Sequence, residues 1–280
     1  MSLSVQKKEY LDNLCKKFRI DLIKLLHSIQ TGHPGGSLSA TEIVTTLYFE
    51  KMNNLDPKNP HSKTRDRFIL SKGHAAPILY LNLAEKGFFP KEDLKTLRQL
   101  DSHLQGHPCA KKTPGVDLST GPLGLGLSAG IGMALTAKLD KLDYTTYVLM
   151  GDGEIQEGIV WEAAMSASKF KVDNLVAILD YNGVQLDGTT DQIMPMGDVS
   201  AKWKSFGWNV IETDGHVVEE IADAIDKAKA TKGVPSIIIA KTVKGKGVSF
   251  MEGKNTWHGS PIGDDNYKQA MQELGGAVNG

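Results

Sequence analysis

Ser236 to Ala240 holds three consecutive isoleucines, one of several short runs in this chain that present no polar face. A strand with one side in water alternates polar and apolar side chains, whereas a strand apolar throughout must be covered on both sides. Leu175-Val176-Ala177-Ile178-Leu179, Tyr147-Val148-Leu149-Met150 and Phe68-Ile69-Leu70 read the same way, and Trp208-Asn209-Val210-Ile211 is a further strand candidate. Between them lie segments of helical period, Gly158 to Phe170 and the amphipathic stretch Val217 to Ala230. That alternation predicts an α/β fold: a doubly wound, mainly parallel sheet with helices on both faces. No repeat, low-complexity tract or linker interrupts the 280 residues, so residues 1–280 read as one domain.

The N-terminal part adds helices. From Val5 to about Ile29, the side chains of Leu11, Leu14, Phe18, Leu22, Leu25 and Leu26 form one stripe. Thr31-Gly32-His33-Pro34-Gly35-Gly36 stops that helix. Ser39 or Thr41 is then placed to cap a second one through Ile43, Leu47 and Phe49. Leu127 to Leu139, rich in Ala and Gly, suits a helix packed very close to its neighbours. The polar, Gly-ended tail after His258 reads as frayed.

Composition narrows function by exclusion. A formal net charge of −1, with a local basic cluster only at Lys241, Lys244 and Lys246, provides no global field to gather nucleic acid or an anionic membrane. No apolar run approaches the roughly 20 residues of a membrane span. Met1 to Tyr10 lacks the apolar stretch of a signal peptide. Cys15 and Cys109, far apart in a long chain, make no disulfide scaffold, and reduced thiols fit a cytoplasmic protein.

The sharpest chemical signal is Gly151-Asp152-Gly153-Glu154, directly after one buried strand, with Asn182 at the end of the next. The carboxyl ends of neighbouring parallel strands form the ligand crevice of such sheets. One strand–helix–strand unit therefore sets Asp152 beside Asn182. Both offer hard oxygen donors, and Mg²⁺ binds through one or two such groups while phosphate oxygens and water complete its octahedron. Gly153 lets the backbone approach a diphosphate, and free amides at the helix start can donate to it. A lone Gly-Asp-Gly is more often an ordinary strand-end turn; the matching Asn on the adjoining strand shifts the balance.

With Asn182 at this spacing, Gly151-Asp152-Gly153 resembles the metal–diphosphate motif of thiamine-diphosphate enzymes. Its continuation, Glu154-Ile155-Gln156-Glu157-Gly158 to Glu162-Ala163, resembles transketolase in particular. So do Gly32-His33-Pro34-Gly35, Ser71-Lys72-Gly73-His74-Ala75, Gly106-His107-Pro108 and Thr120-Gly121-Pro122-Leu123-Gly124. Five motifs in the family's order cover most of the chain, but only the family's N-terminal section is represented.

The resemblance implies the thiamine-diphosphate-binding fold, with thiamine diphosphate and Mg²⁺ as cofactors, Ca²⁺ or Mn²⁺ being able to replace the Mg²⁺. It implies Asp152 and Asn182 as side-chain metal ligands and Val184 as a carbonyl ligand. It puts His74, Gly153 and Glu154 at the diphosphate, Leu123 and Leu186 on the cofactor rings, and Gly121 close to the thiazolium. It makes His33 and His258 handlers of substrate oxygens and protons, with His258 also near the cofactor, and makes His107 a partner of the donor's C1 hydroxyl. Imidazole titrates near neutrality and suits such steps. Glu157, with Glu162, would lie at a subunit interface and couple two active sites. His27, His61, His103 and His216 match no motif.

The implied reaction moves a two-carbon ketol unit from a ketose phosphate to an aldose phosphate, with pentose phosphates as the default substrates. The glutamate that activates the cofactor belongs to the absent section. A separate C-terminal-section subunit is therefore expected, in a heterotetramer containing a dimer of this chain, and the isolated chain is expected to be inactive. Two other readings stay open here. One is a subunit of a decarboxylating enzyme, deoxyxylulose-phosphate synthase-like or 2-oxo-acid dehydrogenase-like. The other is a cofactor-binding scaffold without turnover. Lys244-Gly245-Lys246 reads either as an exposed basic turn or as a contact to a phosphate or partner chain.

Overall fold

The computed structural model describes residues 3–277. Five strands, β1 (Arg67–Leu70), β2 (Thr146–Gly151), β3 (Leu175–Tyr181), β4 (Asn209–Asp214) and β5 (Ser236–Lys241), pair in the order β1-β2-β3-β5-β4, all parallel. The helices are α1 (Val5–Ile29), α2 (Pro34–Ser39), α3 (Thr41–Thr46), α4 (Ala76–Lys86), α5 (Leu125–Leu139), α6 (Gly158–Lys169), α7 (Thr190–Ile193), α8 (Val199–Ser205), α9 (Val218–Ala230) and α10 (Asp264–Leu274).

Each strand feeds two cores through alternate side chains, as the period-2 pleat requires. Phe68, Leu70, Tyr147, Leu149, Val176, Ile178 and Ile238 join one core with α1, α3, α4 and α9. Ile69, Val148, Met150, Leu175, Ala177, Leu179, Ile237 and Ile239 join the other with α5, α6 and α8. This is the doubly wound α/β sheet that the apolar runs predicted. The three isoleucines of β5 are at most 3% exposed, each burial contributing roughly 1.5–3 kcal/mol. The Ala/Gly-rich α5 does lie close to the sheet: a Cβ on Gly130 would sit 2.5 Å from Val148 Cγ2.

Two expectations need correction. The Thr31–Gly36 stretch does not merely stop α1. Pro34, pre-set for a first helical turn, opens α2, and α3 follows from Thr41. Neither Ser39 nor Thr41 caps by side chain; Ser39 Oγ instead donates to Asp180 Oδ2 at 2.5 Å and Thr41 Oγ1 to the Ser37 carbonyl at 3.1 Å. Nor is the tail frayed through its length. α10 packs on α1 and buries Ala270, Met271 and Leu274, a helical spacing that its polar composition masked. Residues 278–280 lie outside the described residues.

Candidate functional site

Parallel strands put all their carboxyl ends on one edge. There the chain leaves β1 into Ser71-Lys72-Gly73-His74, β2 into Asp152-Gly153, β3 into Asn182-Gly183-Val184 and β5 into Thr242-Val243-Lys244. The structure brings Asp152 and the Asn182 turn together. Asp152 Oδ2 accepts a short hydrogen bond from the Gly183 amide, and its Oδ1 accepts from the Gly153 amide at 2.9 Å. Asn182 Oδ1 accepts from the Val184 amide at 3.1 Å. Asp152 is 3% exposed and has no cationic side chain in contact among the described residues. Burial, then the nearby Asp180 charge, pushes its pKa up to about 6. The Lys72 charge and the two backbone amides only partly offset these effects, so a divalent ion at this carboxylate would add the positive charge that favours its ionised form.

Gly153 is a cut-away: a Cβ there would meet Gln185 Cβ at 2.8 Å. Leu123 and Leu186 stand 38% and 55% exposed. Gly121, with φ +141°, lies against His107, whose Cγ a Cβ would approach to 3.2 Å. The resemblance puts Glu154 at the diphosphate, but its oxygens are engaged elsewhere: by Ser71 Oγ, by the Gly124 amide at 2.9 Å and by the Gly151 amide at 3.1 Å. It holds three loops of the site together. Glu157 is exposed at the start of α6 and joins none of the histidine contacts described next.

Four of the eight histidines converge. The His33 ring centre is 5.6 Å from His74, 6.1 Å from His107 and 5.6 Å from His258, and His74 lies 4.7 Å from His258. Burial, then neighbouring cations, lowers the pKa of all four. His33 falls to about 4, with Arg98 the second cause, and His258 to about 3, with Lys244 the second cause. His74 falls well below the ordinary value through burial and Lys72, and His107 is lowered by burial and Arg98.

Lys244 is not an exposed basic turn. It is 2% exposed, and its Nζ donates to the Val184 carbonyl at 3.1 Å and to His258 Nδ1 at 3.0 Å. Burial, then repulsion from Lys72, lowers its pKa to about 8.

The site also rests on groups that sequence reasoning did not assign. Lys72 forms a buried ion pair with Asp180 Oδ2 and donates to the Gly36 carbonyl at 3.0 Å. Burial opposes the Asp180 charge. The Lys72 ammonium and the hydroxyls of Ser39 and Thr242 more than offset it and hold its pKa below the usual range. A lone Asp ending an apolar strand was the available signal, since such residues are buried only when paired.

Residues 11–279 match the family described as transketolase, thiamine diphosphate binding domain. The chain belongs to that family. It is 43% identical over 266 residues to an apulose-4-phosphate transketolase subunit of Phocaeicola vulgatus, covering 95% of this chain and 94% of that one. It is 45% identical over 262 residues to the 6-deoxy-6-sulfo-D-fructose transketolase subunit SqwG of a Clostridium species, covering 94% of each. Human transketolase is 44% identical over 272 residues, 96% of this chain but 42% of that protein. A crystal structure of Pichia stipitis transketolase with sedoheptulose-7-phosphate superposes with TM-score 0.91 at 34% identity, covering 96% of this chain and 41% of that one.

Within this transketolase-family fold, the remaining histidines have structural partners or none. His27 stacks on Tyr267 at 4.1 Å, His103 Nε2 lies 3.1 Å from Asp93, and His61 is exposed. His216 is less exposed than a polar turn suggests. It bonds Glu42 at 2.9 Å and accepts from the Val243 amide at 2.9 Å, one residue before Lys244. No helix among the described residues is long and apolar enough to cross a membrane.

Proposed function

We propose that this chain is the cofactor-diphosphate-binding subunit of a two-subunit transketolase, moving a two-carbon ketol unit from a ketose phosphate to an aldose phosphate. The observation that carries the reading is the junction of Asp152 with the Asn182–Val184 turn beside four converging histidines. Asp152, Asn182 and the Val184 carbonyl would hold Mg²⁺, or Ca²⁺ or Mn²⁺ in its place. The buried Asp152 carboxylate, with no cationic side chain in contact among the described residues, and the Gly153 cut-away fit a metal-bound diphosphate. Lys244 would share the Val184 carbonyl and face the same phosphates, and His74 lies within the cluster that would border them. Leu123 and Leu186 would cover the cofactor rings, and Gly121 would let them approach the backbone.

Thiamine diphosphate supplies the carbon nucleophile and electron sink that ketol transfer needs. The histidines supply orientation and proton handling. Lys244 donates to Nδ1 of His258, so His258 carries its proton on Nε2. A neutral imidazole can donate that proton to a substrate oxygen, and His33 and His107 would do likewise from their own sides of the cluster.

The Phocaeicola vulgatus relative and SqwG are each named as one subunit of a transketolase and are as long as this chain, which supports a separate partner carrying the remaining section. Leu125, Leu139, Met165 and Phe170, each exposed on or next to the packed helices α5 and α6, would be covered by a second copy. Glu157 and Glu162, exposed at the start of and within α6, would couple two sites in a heterotetramer. Two free thiols, Cys15 and Cys109, support a cytoplasmic setting. The relatives' names extend the candidate donors beyond pentose phosphates to apulose-4-phosphate and 6-deoxy-6-sulfofructose.

The test is to purify the chain with and without its partner and assay a panel of these ketoses with aldose phosphate acceptors. Ketol transfer only in the pair is expected. Failure of every ketose, with the pair assembled and thiamine diphosphate bound, would sink the reading.

A further inference from the structure

Arg98 combines three features that an ordinary surface arginine lacks. Its backbone sits at φ +64°, a left-handed conformation that crowds the Cβ of any residue but glycine. A Cβ on Gly106 would come within 3.1 Å of Arg98 Nε and 3.2 Å of Nη2, so the guanidinium packs tightly against the glycine and any side chain there would displace it by a few tenths of an ångström. It has no carboxylate partner among the described residues. It donates instead from Nη1 to Thr31 Oγ1 at 2.9 Å and towards His33 Nδ1 at 3.3 Å from Nη2.

The chemistry of that last contact is one-directional. A guanidinium has donors and no acceptor. His33 Nδ1 must therefore be the bare nitrogen and Nε2 the protonated one. The His33 Nε2 has no protein hydrogen-bond partner among the described residues. Local strain held at a residue that touches a functional side chain is the pattern expected where geometry is maintained for function.

We infer that Arg98 is a positioning residue that holds His33 in the Nε2–H tautomer, so that His33 meets substrate as a neutral hydrogen-bond donor. This rests on His33 serving the ketol-transfer site proposed above. Thr31 sets the guanidinium and Gly106 makes room for it, so the segments on either side of the cluster are locked together through one side chain. The other charged or titratable groups around His33 are His107 on the same loop as Arg98, His74 after β1, and Lys244 and His258 from the C-terminal part. None of these is hydrogen-bonded to the His33 ring, whereas Arg98 is.

The experiment is nitrogen–proton correlation spectroscopy on the full chain carrying isotope-labelled histidine, in the wild type and in Arg98→Met and Arg98→Lys. The wild type is expected to show His33 protonated on Nε2, a measurement that needs no variant to fold. Arg98→Met should bring in the Nδ1–H tautomer and raise the His33 pKa towards its ordinary value, while Arg98→Lys keeps much of the wild-type pattern. With the partner present, Arg98→Met should lower kcat about tenfold, less than the roughly hundredfold or more that a positioned proton donor is worth because His33 itself remains, and displace the acid limb of the pH profile. A wild-type His33 protonated on Nδ1, or an unchanged tautomer in Arg98→Met, would overturn the inference and leave the transketolase reading standing. Loss of that reading would show instead as an absence of ketol transfer in the wild-type pair.

Discussion

The Lys244 ammonium donates to Nδ1 of His258 at 3.0 Å, so a buried cation and an imidazole of the histidine cluster share one proton-bearing contact. Arg98 and His33 repeat the arrangement on the other side of the cluster. In both pairs burial first, and the neighbouring cation second, disfavours the charged imidazole, and the cation occupies Nδ1 so that Nε2 carries the ring proton.

Replacing Lys244 by Met removes the charge beside the proposed diphosphate position. A hydrogen bond to a charged group is worth about 1.5–3 kcal/mol, so thiamine diphosphate affinity should weaken about tenfold to a hundredfold. Isothermal calorimetry with Mg²⁺ measures it. Unchanged affinity would remove Lys244 from the phosphate site. The His258 pKa, held down first by burial and next by Lys244, should rise but stay below its ordinary value.

Asp152 makes the metal-free protein sensitive to pH. Its pKa stands at about 6 in the fold against an ordinary value of 3.8. The fold therefore holds this proton more tightly than the unfolded chain does. That contribution to stability is full below the unfolded value and is lost as pH rises through about 6, for a total on the order of 3 kcal/mol. Asp152→Asn should flatten this part of the curve and abolish Mg²⁺-dependent binding of thiamine diphosphate. Thermal melts of both proteins from acid to neutral pH, without metal, decide the point.

The Lys72–Asp180 pair should behave as a buried ion pair broken at one end. Asp180→Asn strands a buried ammonium and should cost about 3–5 kcal/mol in urea unfolding. Combining Lys72→Met with Asp180→Asn should cost less than the sum of the single changes, since neither charge is then left alone. Additive losses would show that the two groups act separately.

Gly153→Ala is a geometric test of the cofactor seat. The added methyl would meet Gln185 Cβ at 2.8 Å and push the Asn182–Val184 turn away from Asp152. Thiamine diphosphate binding should weaken about tenfold or more, the scale of losing one well-placed charged hydrogen bond. A variant that binds as tightly as wild type would show that the turn adapts.

Much of the fold was legible because covering a strand on two faces leaves a mark in the sequence. Ile237 to Ile239 and Leu175 to Leu179 have no polar positions, and the structure buries both runs between helices. The junction of Asp152 with Asn182 was legible for a related reason, since adjoining parallel strands end on the same edge. α10 was missed because its polar residues outnumber Ala270, Met271 and Leu274, and only docking on α1 reveals that these share a face.

By itself the sequence determined the class of sheet, the edge on which chemistry would gather, and the residue types available there. Local spacing and burial requirements are enough for those. The tertiary structure alone decided what each charge does. It buried Lys244 against His258, engaged Glu154 with three loops, and set Arg98 on His33 across 65 residues of chain. Those outcomes depend on contacts between segments distant in sequence, where distance and desolvation, rather than residue type, determine protonation and partnership.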